Sequence, residues 1–212
     1  MTKLIAIATL LFSVIFLSPN VVMGETMDDL VERNGLYYKK FSDTPFTGEL
    51  TGKEQGSFKN GKREGEWVEY HDNGQLFFKV NYKNGKEDGA WVSYWDNGQL
   101  RHKGNYKNGK RDGEWVGYWG NGRLEGKGNY KNGKKEGAWV SYWGNGQLLS
   151  KGNHKNGNYE GEWVKYWSNG ELRHKGNYKN GKREGAMVEY NRDGTVDGSF
   201  SGTFKNGKKI SD

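Results

Sequence analysis

In a chain without cysteine, acid–base, nucleophilic and metal chemistry falls to histidines, carboxylates and serines, and their spacing tests each possibility. The histidines are His71, His102, His154 and His174, and no two stand in the His-x-x-x-His spacing of a zinc site. The carboxylates of Glu64, Asp88, Asp112, Glu136, Glu160 and Glu184 recur every 24 residues, each just before a glycine. A catalytic acid or base needs a pocket that shifts its pKa, and a side chain repeated six times in equivalent places reads as a turn residue. No serine lies in a Gly-x-Ser-x-Gly context. The absence of cysteine excludes a thiol nucleophile, a thiolate metal site, a disulfide framework and lipid attachment to an N-terminal cysteine. The sequence therefore offers no catalytic residue, no metal site and no cofactor motif, and the expectation is a protein that is not an enzyme.

The spacing itself is the informative feature. The chain has 212 residues with 34 Gly, 2 Pro, 9 Trp and 13 Tyr, and only 33% hydrophobic residues. Low hydrophobicity with high charge usually means disorder, but disordered chains are poor in aromatics. Both facts fit if the rings recur at fixed positions and stack on their neighbours. They do. Lys-Asn-Gly tripeptides place glycines at 61, 85, 109, 133, 157 and 181. One tryptophan column is Trp67, Trp91, Trp115, Trp139 and Trp163, closing at Met187. A second is Trp95, Trp119, Trp143 and Trp167, with His71 and Asn191 at its ends. Tyr70 to Tyr190 and Leu76 to Leu172 follow the same step.

Each repeat has two Asn-Gly turn signals, as at Asn97-Gly98 and Asn108-Gly109. Asn-Gly suits a type I′ hairpin turn, which needs positive φ twice. No segment shows a 3.6-residue apolar period. The predicted fold is all-β: an elongated, single-layer, twisted antiparallel sheet of stacked β-hairpins, about 60 Å long at the usual strand spacing. A two-residue loop at Asn97-Gly98 would set Trp95 against Leu100, Ser93 against His102, Trp91 against Gly104 and Gly89 against Tyr106. One face would then carry the rings and the other a mixed set with Val92, Tyr94, Arg101 and Lys103. Gly104, Gly128, Gly152 and Gly176 would each give room to the ring opposite, namely Trp91, Trp115, Trp139 and Trp163. Trp67 would face Val80 instead. A single-layer sheet is expected to offer no pocket.

The chain divides into a leader over 1–24, an N-terminal segment with a partial capping repeat over 25–58, six repeats over 59–196 and a C-terminal cap over 197–212. Residues 26–33 could form one or two helical turns. The leader has Lys3, an apolar run from Leu4 to Leu17, a break at Ser18-Pro19-Asn20, and Val22-Met23-Gly24 as a cleavage site. Pro19 and Asn20 leave the run short of the roughly 20 residues a spanning helix wants. The expectation is export to the periplasm or the medium after cleavage near Gly24, with the formal charge going from +7 to +6 on loss of Lys3.

Two features could bind. Trp95, Trp119, Trp143 and Trp167 could form a row that stacks on sugars or grips a protein, or the rings could simply cover each other. Lys83, Lys107, Lys131, Lys155 and Lys179 could line one edge and attract anionic lipid or glycan, or form a solvated edge that resists aggregation. A protein partner is the first expectation and an anionic lipid or glycan the second. The export signal disfavours nucleic acid, and an uncovered face leaves self-association open.

The unit Tyr82-Lys83-Asn84-Gly85 through Gly89-Ala90-Trp91, then Tyr94, Asn97-Gly98 and Leu100, resembles the bacterial variant of the MORN repeat over about residues 35–208. Gly35-Leu36-Tyr37-Tyr38 with Pro45-Phe46-Thr47-Gly48 resembles the lead-in to such arrays. The resemblance implies stacked β-hairpins and roles in scaffolding, protein interaction and, in some members, phospholipid contact. Members of that group are often labelled antitoxins. A leader departs from a cytoplasmic antitoxin, so an antitoxin-like role here would be immunity against a toxin acting outside the cytoplasm.

Overall fold

The computed structural model describes residues 24–212. The leader expected over 1–24 lies outside the described residues, except for Gly24. Fifteen strands form one antiparallel meander in which sequence neighbours are also sheet neighbours. The outgoing strands of repeats one to six are Lys62–Tyr70, Lys86–Tyr94, Lys110–Tyr118, Lys134–Tyr142, Asn158–Tyr166 and Lys182–Glu189. The return strands are Leu76–Lys83, Leu100–Lys107, Leu124–Lys131, Leu148–Lys155, Leu172–Lys179 and Gly202–Lys205. Gly48–Leu50 and Glu54–Lys59 precede them, and Lys208–Ser211 follows as the last edge.

The two turns of each repeat differ. At Lys107–Lys110, Asn108 has φ 50° and Gly109 φ 76°, the two left-handed residues that a type I′ turn requires. At the other end, the Asn97-Gly98 expectation is corrected. Gly98 alone has positive φ, its N–H donates to Trp95 O, and Trp95 N–H donates to Gln99 O at 2.8 Å. The loop therefore has three residues. Asn97 Oδ1 accepts the Gln99 N–H at 3.0 Å, a side-chain turn that replaces the left-handed asparagine. Trp95 accordingly faces Gln99, Leu100 faces Tyr94, and the register slips between Ser93 and Tyr94. Leucine thus joins the tyrosine face, not the tryptophan face. From Ser93–His102 back to Gly89–Tyr106 the register is the one expected.

A lone sheet has no second layer, so each face must cover itself. The first tryptophan column does this on the aromatic face, with Trp67, Trp115 and Trp163 all at most 4% exposed. The expected pairing holds, but the ring expected over each glycine is corrected. Gly104 does lie opposite Trp91, but the ring lying on it is Trp115, from the strand on its other side. Trp139 covers Gly128, Trp163 covers Gly152, and Met187 covers Gly176 in the same way. Each lying indole donates Nε1–H to the carbonyl after its glycine, as Trp115 does to Asn105 O at 3.1 Å. Trp91 meets Val80 in the glycine position and stacks on Trp115 instead, with ring centres 5.1 Å apart. On the opposite face a valine column runs through Val116 and Val164, 8% and 6% exposed.

The ends differ from the middle. Leu30, Phe46, Leu50 and Phe58 build a small core against Trp67 and Val80. Leu30–Arg33 pairs with Leu36–Lys39 in a separate two-stranded sheet. The helical expectation for 26–33 is corrected to a 3-10 turn at Met27–Asp29 followed by that strand. The Asp29 carboxylate accepts the Thr26 N–H at 2.8 Å and closes the turn, while Leu30 onward pairs with the next strand. At the far end, a loop through Asp197 to Ser201 delays the sixth return strand, which then places Gly202 opposite Met187.

Candidate interaction surfaces

The Lys-Asn-Gly-Lys turns stack along one edge. The Asn108 N–H donates to the Asp88 carboxylate at 3.0 Å, and the Gly109 N–H to Glu87 O at 2.8 Å. The same pair of bonds recurs from Asn84 on Glu64 to Asn206 on Glu184. The recurrent carboxylates therefore cap the next turn. This stack holds Lys83, Lys107, Lys131, Lys155 and Lys179 at the surface, exposed. None of the five makes an ion pair among the described residues. Repeat five departs, with Asn158 where the other repeats carry a second lysine.

The second tryptophan column lines the other edge and is half-buried. Trp95 Nε1–H donates to Tyr118 O, Trp119 to Tyr142 O, Trp143 to Tyr166 O and Trp167 to Tyr190 O, at 3.0–3.3 Å. Each ring thus ties one repeat to the next. His71 occupies the first place and uses Nε2 on Tyr94 O in the indole's manner. The Arg101 guanidinium lies over Trp95 at 4.3 Å and that of Arg173 over Trp167 at 4.4 Å. At the same position the middle repeats carry Glu125 and Leu149, so Trp119 and Trp143 have no cation over their rings among the described residues.

No other element covers the valine face among the described residues, and on the aromatic face the N-terminal core reaches Trp67 and Val80. Lys79 pairs with Glu66 at 2.6 Å and Lys175 with Glu162 at 3.2 Å. The acid alternates with alanine from repeat to repeat: Glu66, Ala90, Glu114, Ala138, Glu162 and Ala186. At Ala138 the missing side chain opens a hollow of about 520 Å³, floored by Val140 and Val164 and edged by Glu114, Lys127, Lys151 and Glu162. This corrects the expectation of a sheet without pockets.

Three histidines are set into the aromatic face. His174 is 4% exposed, with Nδ1 2.6 Å from the Glu189 carboxylate and Nε2 3.3 Å from the Tyr178 hydroxyl. Burial lowers its pKa, and Glu189 only partly offsets this. His102 is also lowered by burial and then by Arg101 and Arg111. His154 sits where other repeats carry tyrosine, packed edge-on against Trp139 and Trp163, and burial followed by Lys135 pulls it down to about 4. Among the described residues no group of three His, Cys, Asp or Glu side chains is arranged to hold a metal ion.

Fold and surface together define a class: an open array of β-hairpins, each locked to the next at both edges. The MORN repeat variant matches residues 63–84, 87–108, 111–132, 135–156 and 159–180, five consecutive units. The chain belongs to that family. Its repeats are in general protein- or membrane-interaction modules rather than catalytic ones. A comparison with curated proteins gave no match.

Proposed function

We propose that this protein is an exported, non-catalytic scaffold that holds a protein partner on the valine face. The observation that carries this reading is the hollow at Ala138. It is a hollow with Val140 and Val164 on its floor and charge of both signs around it, in the middle of a face that no other element covers among the described residues. Interface energy concentrates in such central pockets, with a polar rim excluding water around them. The repeat-to-repeat locking keeps the face in one shape, so little order is lost when a partner docks. Export rests on the leader, and an immunity role against a toxin outside the cytoplasm fits both the leader and the group resemblance. The test is Ala138→Trp, which fills the hollow from an exposed position. The reading expects one stoichiometric protein on immobilised wild type in roughly 0.5 M salt, where long-range charge attraction is screened, and its loss on the variant. Unchanged capture by the variant would sink it.

The stacked lysine turns favour a second reading, an anionic lipid or glycan surface along that edge. Each basic residue near such a surface contributes about 1 kcal/mol. Binding to anionic vesicles would fall steeply with salt and disappear in the K107E/K131E/K155E variant. Vesicle binding that survives both would rule this edge out.

A further inference from the structure

The aromatic face breaks its own repeat in the middle. The residue two places after the first tryptophan is Glu69, Ser93, Gly117, Ser141, Lys165 and Glu189 in successive repeats. Its neighbour on the return strand is Phe78, His102, Gly126, Ser150 and His174. Repeats three and four thus put glycine and serine on both strands, where the flanking repeats put Ser93 and His102 or Lys165 and His174. The result is a trough of about 230 Å³ that adjoins a smaller hollow of about 110 Å³, sharing Lys135, Trp139, Val140 and Ser141.

Its chemistry is polar and two-signed. Ser141 Oγ and Ser150 Oγ lie 2.7 Å apart on the floor. His102 and Glu125 converge above Gly117, where an added Cβ would stand 3.1 Å from the imidazole and 3.2 Å from the carboxylate. Glu125 therefore leaves the edge tryptophan that its counterparts Arg101 and Arg173 cover. Arg111 and Lys135 form the rim, over the rings of Trp115 and Trp139 at 4.2 and 4.1 Å. His154 lines the hollow at 7% exposure, and its Nδ1 has no hydrogen-bond partner among the described residues. Buried polar groups are nearly always bonded, and an exception points to a missing partner.

We propose that this trough binds an acidic pyranose unit of a saccharide. The serine hydroxyls, the Glu125 carboxylate and the imidazoles can bond the hydroxyl edge of a sugar ring, while Arg111 and Lys135 cover the outer faces of Trp115 and Trp139 and present their charge to it. The two rim cations outnumber the one carboxylate and select a sugar acid. The trough lies across the sheet from the hollow at Ala138, with Trp139 and Val140 lining both, and its ligand does not depend on the partner proposed there.

The experiment is calorimetric titration of the full chain with trigalacturonate and with neutral cellotriose. The trough is filled by the double variant S141K/S150H, which copies the Lys165–His174 pair already accommodated in repeat five. Near-ultraviolet circular dichroism checks that the variant folds, and Lys135→Gln supplies a smaller change. The expected result is trigalacturonate binding that exceeds cellotriose binding and weakens about tenfold or more in the filled variant, the scale of one lost pocket contact set. Lys135→Gln should weaken it in the same direction. No binding of trigalacturonate overturns the proposal, as does equal binding of cellotriose or full binding by the filled variant. If binding falls in K107E/K131E/K155E and not in the filled variant, the saccharide sits on the lysine edge and the trough assignment is wrong.

Discussion

Trp115 lies flat on Gly104 of the preceding strand, so close that a Cβ on the glycine would stand 2.4 Å from the indole Cδ2. Real side chains do not approach so near, so Gly104→Ala must lift the ring and strain its bond to Asn105 O. Such overpacking costs about 1–3 kcal/mol. Urea denaturation should show that loss, and the Trp115 indole N–H should exchange faster. Unchanged stability would mean that the ring is not seated on the backbone.

The two tryptophan columns should respond differently to truncation. Trp115→Ala empties a buried site and should cost about 3–5 kcal/mol. Trp119→Ala removes a half-buried ring and one hydrogen bond and should cost about 1–2 kcal/mol. Equal losses by thermal denaturation would contradict the division into a core column and an edge column.

The carboxylate of each repeat caps the following turn, so its loss should be felt one repeat away. Glu136→Ala leaves the Asn156 N–H without the acceptor it now has at 2.8 Å. A lost cap of this kind costs about 1 kcal/mol. Hydrogen exchange should speed up at Asn156 and Gly157 more than at Asn132 and Gly133. A uniform change would argue against turn-to-turn capping.

Acid sensitivity follows from the buried histidines. His154 falls from an ordinary 6.5 to about 4 on folding, through burial first and Lys135 second. The unfolded chain then binds the proton more readily. The stabilising contribution is complete above pH 6.5 and is lost as pH falls towards 4. His154→Tyr restores the residue of the neighbouring repeats, so the melting temperature of the variant should fall less between pH 7 and 4. His102 and His174 shift the same way and leave a residual slope. Parallel curves for both proteins would contradict the assignment.

The periodic part of the fold was legible because each rule acts on a column. Asn108-Gly109 gave its turn from local chemistry alone, whereas the Ser93–His102 register, expected from a two-residue loop at Asn97-Gly98, holds because the slip between Ser93 and Tyr94 offsets the third loop residue. Asn97-Gly98 did not give its turn. The same dipeptide closes a three-residue loop there, because the Asn97 side chain reaches Gln99 N–H and Gly120 O in the next repeat. Which ring covers Gly104 was hidden for a similar reason: the glycine has a tryptophan on either side, and only packing chooses between them. The trough had a signal in the sequence, the run of small residues at Gly117, Gly126, Ser141 and Ser150. It appears only when columns are read for their exceptions, after pairing has put the four residues side by side.

The most direct test of the scaffold reading is photo-crosslinking in the native cells, with the crosslinking residue placed at Ala138 on the valine face and, separately, at Lys131 on the turn edge. Mass spectrometry would then identify what is attached. The account predicts one protein, in near-stoichiometric yield, from position 138. Lipid or glycan adducts from position 131, with no enriched protein from position 138, would contradict it.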